Sequence, residues 1–188
     1  MKSHSNTHAL RITAYISLTA ALIAVCSWIT VPLAVPITLQ TFAVFCAVLL
    51  LGGKNGTYAV ALYIMLGAVG VPVFSGFKGG IGHILGPTGG YIVGFIFISL
   101  IYMLFEPLFS RSRWLKIPVL LSGLAVCYLF GTVWFSSVMT SSGTEYGFGK
   151  ILGLCVFPFI LPDVIKLSLA FFICERVKKA IPGLERDK

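Results

Sequence analysis

The stretch PFILPDVIKLSLAFF (Pro158–Phe172) sets two ionisable residues, Asp163 and Lys166, three apart in an otherwise apolar run. A carboxylate or an ammonium at membrane depth is costly and usually faces a protein-lined cavity or a functional partner. On a helix, a spacing of three places both on one face, so that face is where a ligand is expected. The plainer alternative is a local ion pair that helps the helix insert. Pro158 and Pro162 both interrupt the apolar stretch Ile151–Cys174, and proline fits best in the first turn of a helix. The pattern predicts a short helix or re-entrant piece at Lys150–Phe157 and a last span that starts near Pro162. Asp163 then lies in the first turn, where the positive end of the helix dipole favours its anionic form.

The rest of the chain is as apolar as this segment. Of 188 residues, 57% are hydrophobic and 11% charged, and the mean hydropathy is +0.97. Soluble domains carry about 25% charged residues, so an all-α integral membrane protein is expected. At ~20 apolar residues per span, six helices nearly exhaust the length, and one membrane domain over residues 1–188 is the expected organisation. The expected spans are Ile12–Val31, Leu39–Leu51, Thr57–Val69, Tyr91–Phe109, Ile117–Val138 and the final one. Between the first two, VPLAVPIT carries Pro32 and Pro36, which break any helix. Lys2 and Arg11 precede an apolar run without a clear small-x-small cleavage site, so a retained first helix is expected rather than a signal peptide. The five cysteines (Cys26, Cys46, Cys127, Cys155, Cys174) all lie in apolar runs with no CxxC pair, as packing residues do.

The formal net charge is +8. With six spans and an internal N-terminus, the inside segments hold Lys2, Arg11, Lys54, Arg111, Arg113, Lys116, Arg176, Lys178, Lys179, Arg186 and Lys188. The outside segments hold Lys78 and Lys150. Eleven basic residues against two follow the positive-inside rule, which accounts for the basic balance without nucleic acid and puts both termini in the cytoplasm. Asp163 and the glycine-rich stretch Val71–Gly90 then lie toward the outside, and a pocket open to that side is expected.

Seven of the eighteen residues from Phe74 to Tyr91 are glycine. Phe74, Phe77, Ile81, Ile84 and Leu85 lie among them, so an ordered loop packed over a pocket is expected rather than a polar linker. Glycines such as Gly79 permit close backbone approach to a ligand. Lys78 and His83 are candidates in the same loop, although no other metal ligands accompany His83. In VPITLQTF (Val35–Phe42), Thr38 suits a helix cap, and Gln40 is a candidate to hydrogen-bond an amide-like ligand. Ala20 and Ala24 form a small-xxx-small face on the first span, with Ala14 and Ser17 nearby, suited to a helix partner within the chain or on another subunit. GGKNGT (Gly52–Thr57) does not fit the nucleotide-binding GxxxxGK[ST] pattern. No HExxH or GxSxG occurs, so no catalytic constellation is expected and any energy from nucleotide hydrolysis must come from a partner.

Taken in order, VPITLQTF, LGAVGVPVFSG, LGPTGGYIVGF and PDVIK resemble the BioY family, the biotin-binding S components of energy-coupling-factor (ECF) transporters. The resemblance covers about Arg11 to Lys179. It implies a six-helix S-component bundle in the bacterial cell membrane with a high-affinity biotin site open to the outside and no cofactor. It also implies a transmembrane coupling protein and two cytoplasmic ATPases as partners, with the small-residue face at Ala20 and Ala24 docking on the coupling protein. The family's acidic and basic pair falls on Asp163 and Lys166, though Pro162 stands where members often carry glycine. Tyr91 closes the GPTGGY motif at a pocket-facing position. Biotin offers two ureido N–H donors, one carbonyl acceptor, an apolar thiophane ring and valeryl chain, and a terminal carboxylate. Asp163 suits the N–H groups, and Lys166, Lys78 or Tyr91 the carbonyl or the tail. Trp134 and Phe74 are candidate apolar walls. Two other functions are weighed: an S component for another vitamin such as thiamine or riboflavin, and an intramembrane enzyme using Asp163 and His83.

Overall fold

The computed structural model describes residues 2–33, 35–143 and 147–180. Arg186 and Lys188, counted above among the inside charges, lie outside the described residues. The chain runs α1 (Lys2–Trp28), a two-stranded antiparallel ribbon of β1 (Thr30–Val31) and β2 (Ile37–Thr38), and α2 (Gln40–Ala68). It continues through α3 (Ile81–Ile84), α4 (Gly89–Phe105), two 3-10 turns (Glu106–Ser110 and Arg113–Leu115), α5 (Lys116–Ser141), α6 (Phe148–Cys155) and α7 (Phe157–Ala180). Among the described residues, five helical stretches are long and apolar enough to cross a membrane: His8–Trp28, Gln40–Ala68, Gly89–Ser110, Arg113–Ser141 and Gly149–Ala180.

Two of the expected spans, Leu39–Leu51 and Thr57–Val69, fall inside α2, which is not one rod. Gly52 has φ +81° and ψ 174°, open to glycine and strained for L side chains. The chain doubles back there. The amide nitrogen of Gln40 bonds the hydroxyl of Tyr63 at 2.7 Å, whereas a straight helix would hold them about 35 Å apart at 1.5 Å per residue. The reversal is tight because a Cβ on Gly56 would lie 2.8 Å from Val48 Cα, and one on Gly53 only 2.3 Å from Met103 Cα. Glu106 Oε2 accepts the backbone N–H of Gly53 at 2.9 Å. That N–H opens the second half of α2 and has no intrahelical acceptor, so a carboxylate from the end of α4 closes the turn.

The other departures from expectation have local causes. The first helix stops at Trp28, and Val31 pairs with Ile37 in the ribbon. The loop between the strands carries both Pro32 and Pro36. The last helix begins at Phe157, not Pro162. Val156 makes the break from α6 with φ −126° and ψ −60°, and Pro158 occupies the first turn. Pro162 lies inside α7 and simply donates no bond to the carbonyl of Pro158. Asp163 is therefore well past the first turn, and the dipole of the helix start acts on it only weakly, since that effect fades within a turn. Ala20 and Ala24, expected to meet a coupling protein, are 2% and 7% exposed. They turn into the core that α1 shares with α2, together with Ile23. The small side chains let those two helices of one chain approach, while Ala14, Ser17 and Ala21 remain exposed.

The Gly-rich stretch is folded. Phe74 and Lys78 exchange backbone hydrogen bonds, and Gly80 N–H bonds the carbonyl of Gly67 at 2.7 Å. Helices α4 and α5 lie side by side, with Gly94 against Cys127 and Gly131 against the Tyr91 ring. This seam fixes where Tyr91 and Tyr128 stand.

Gly53→Ala should lower stability by about 1–3 kcal/mol through overpacking on Met103. Gly153→Ala, in α6 with open space around it, should be neutral or slightly stabilising. Thermal unfolding of the purified proteins in one detergent measures both.

Candidate functional site

A cavity opens among α2, α4, α5 and α7 beneath the β ribbon and α3. Its polar lining is concentrated where α7 meets α2 and α5. Asp163 is 1% exposed and Lys166 8%, and they pair at 2.7 Å. Asp163 Oδ1 also accepts the Thr41 hydroxyl at 2.8 Å, and Oδ2 accepts the Tyr128 hydroxyl at 2.5 Å. Lys166 Nζ donates a second bond to Thr41 Oγ1 at 3.1 Å. A buried ion pair persists when such additional hydrogen bonds satisfy its remaining valences. Three helices thus converge on one carboxylate.

Gln40 opens α2, with its backbone N–H held by Thr38 Oγ1 at 3.2 Å; the cap position is Leu39, so Thr38 acts from one residue before the cap expected of it. Its side-chain N–H bonds Tyr63, whose hydroxyl donates in turn to the Val73 carbonyl at 3.2 Å. Tyr91, on α4, faces the cavity with its hydroxyl 3.0 Å from Thr132 Oγ1 on α5 and donates to the Cys155 carbonyl at 3.4 Å. Ile92, Phe95 and Phe159 supply apolar wall. His83 lies at the rim, stacked on Phe74 with ring centres 5.4 Å apart. Burial, and then the nearby Lys78 charge, hold its pKa below the usual imidazole value, so it is neutral at pH 7.

Of the residues singled out from sequence, Asp163, Lys166, Gln40, Tyr91 and His83 line this one cavity. Lys78 does not. It lines an adjoining outer chamber that shares Pro36, Ser75, His83 and Thr88 with the inner one. Gly79 lies outside both linings, and its missing side chain leaves room for the Val71 carbonyl, 2.4 Å from where a Cβ would stand. Phe74 is fully buried beneath His83 and edge-on to Tyr63, which makes it core behind the wall. Trp134 faces a separate groove with Leu85 and Phe130, its indole N–H on the Gly86 carbonyl at 3.0 Å. Thr41 and Tyr128 were missed. Thr41 directly follows Gln40, and that adjacency was the available signal. Tyr128 stands in a span with three other aromatic residues, Phe130, Trp134 and Phe135, and nothing local marks it. Asp163 and His83 share the cavity without a bond between them, and His83 spends its ring face on Phe74.

Comparison with known proteins gives one consistent result. The model of the BioY family matches residues 1–183. A probable biotin transporter BioY from Pyrococcus horikoshii is 44% identical over 144 residues, covering 77% of this chain and 81% of the relative. A biotin transporter BioY from Thermotoga maritima is 42% identical over 161 residues, covering 85% and 90%. The crystal structure of the S-component for biotin from an ECF-type ABC transporter superposes with a TM-score of 0.79 at 27% identity, covering 93% of this chain and 94% of that one.

Two outcomes test the electrostatics. Lys166→Met leaves the Asp163 charge buried without its cation and should cost about 3–5 kcal/mol, most of it recovered in the Asp163→Leu/Lys166→Met double variant. Ligand-free thermal unfolding reads this. For His83, the folded-state pKa lies below the unfolded one, so the unfolded chain binds the proton more tightly and stability falls as pH drops through about 6.5 and below. The native chain should therefore lose thermal stability between pH 7 and 5 that His83→Phe, which keeps the stack on Phe74, retains.

Proposed function

The chain belongs to the BioY family, and on that premise we propose that it is the biotin-binding S component of an ECF transporter, a multi-pass protein of the cell membrane. It is a transport subunit and not an enzyme. The observation that carries this reading is the Asp163–Lys166 pair on the wall of a largely apolar cavity. A mostly apolar pocket with a few placed polar groups is the usual form of a small-molecule site, and biotin is an apolar bicycle and chain with a compact polar ureido head. Asp163 and Lys166 meet that head with a carboxylate and an ammonium. Ile92, Phe95 and Phe159 flank the thiophane ring and valeryl chain, and Tyr91 and His83 complete the wall. The tail carboxylate points toward the outer chamber, where Lys78 supplies a cation.

The two halves of α2 each cross the membrane, which makes six crossings with α1, α4, α5 and α7 and puts both termini on the cytoplasmic side. Basic residues support this orientation. Among the described side chains, Arg11, Lys54, Arg111, Arg113, Lys116, Arg176, Lys178 and Lys179 fall on that side, against Lys78 and Lys150 opposite. The whole chain acts as one substrate-binding membrane domain, and a transmembrane coupling protein with two cytoplasmic ATPases powers uptake.

Binding of radiolabelled biotin to the purified chain in detergent is the test. The native chain should bind tightly. Asp163→Asn and Lys166→Ala should each bind about 10–100-fold more weakly, as loss of a hydrogen bond to a charged group implies. Undiminished binding by both variants would overturn the site, and a folded native chain that ignores biotin would overturn the function.

A further inference from the structure

The polar groups of the cavity keep part of their hydrogen-bonding capacity unspent. An ionised carboxylate offers about four lone-pair sites, two on each oxygen. In Asp163, Oδ1 is filled by Lys166 and Thr41, and Oδ2 holds Tyr128. One acceptor position is left, on Oδ2. Lys166 has three N–H donors and spends two, on Asp163 and Thr41, which leaves one. Tyr63 gives its only proton to the Val73 carbonyl, so its oxygen must accept from the amide N–H of Gln40. That fixes the orientation of the Gln40 amide and leaves its carbonyl oxygen without a donor among the described residues.

The unspent groups are thus one acceptor at Asp163, one acceptor at Gln40 and one donor at Lys166. A cyclic urea carries the complement: two N–H groups flanking one carbonyl. We infer that Thr41 and Tyr128 are positioning residues that restrict Asp163 to a single ligand N–H, so that the second ureido N–H is received by Gln40 and the carbonyl by Lys166. This rests on the biotin reading above and adds to it a division of labour. Without Tyr128, Oδ2 has no internal partner and the carboxylate is free to turn. Without the Thr41 hydroxyl, Lys166 and Asp163 lose the group that bonds both of them.

The test uses biotin and two analogues, each with one ureido N–H replaced by a ring oxygen, measured against the native chain and variants. The readout is the ratio of each analogue's Kd to that of biotin. In the native chain both analogues should bind at least tenfold more weakly than biotin. Tyr128→Phe and Thr41→Val should shrink the ratio severalfold for one analogue only, the one that loses the N–H facing Asp163. Gln40→Leu should shrink it for the other only, and Thr41→Ser should behave as the native chain. A variant that merely loosened the fold would weaken all three ligands alike. Equal changes in both ratios, or unchanged ratios in Tyr128→Phe and Thr41→Val, would overturn the inference while leaving biotin binding intact. A native chain that binds no biotin would instead overturn the reading on which it rests.

Discussion

The ion pair between Asp163 and Lys166 constrains most of what surrounds it. Two charges withdrawn from water are tolerated only where attraction and hydrogen bonding offset their desolvation. One turn of α7 provides the attraction but not enough partners. Thr41 comes from the start of α2 and Tyr128 from the middle of α5, so the pair recruits two further helices and fixes where they stand. The cavity is the space those helices leave, and its polar end lies at the point where they are most firmly tied. A ligand therefore meets groups that are already oriented, and little ordering remains to be done on binding.

The legible part of the sequence was the part that violates its surroundings. Asp163 and Lys166 stood out because charge is expensive in an apolar run, and Gln40 because an amide at a span edge lacks a cheap explanation. Thr and Tyr carry no such penalty: a threonine can bond its own helix, and a tyrosine is mostly apolar body. Their roles at positions 41 and 128 appear only when three helices are brought together. The same limit governs the aromatic candidates. Phe74 and Trp134 are both large, but only packing decides that one lies under His83 and the other in a separate groove with Leu85 and Phe130.

Where a local backbone signal had two uses, packing decided between them. Ala20 and Ala24 mark a face for close approach without naming the partner, and here it is α2 of the same chain. Pro162 marks a place where a helix loses one hydrogen bond, which both a helix start and an uninterrupted helix can accommodate. Pro158 and Val156 decide the matter, since the break lies there. The Gly52-Gly53 pair was correctly a turn, and its tightness comes from contacts the sequence does not display, with Met103 and Glu106 far along the chain.

The reversal inside α2 bears on how such a chain enters a bilayer. Its halves have about twelve and sixteen residues on either side of Gly52, or roughly 18 and 24 Å of helix, against a hydrocarbon layer of ~30 Å. Neither helical half spans that layer by itself, so each crossing needs the residues that flank α2, and the two are expected to insert together as a hairpin. Over an eighteen-residue window of this stretch 72% of the residues are buried inside the protein, against 28–33% in the other four. Once the bundle has assembled, α2 is solvated mainly by its neighbours and hardly by lipid. That shelter is what permits it to carry Gln40, Thr41, Tyr63 and two adjacent glycines at depths where an acyl chain would offer them nothing.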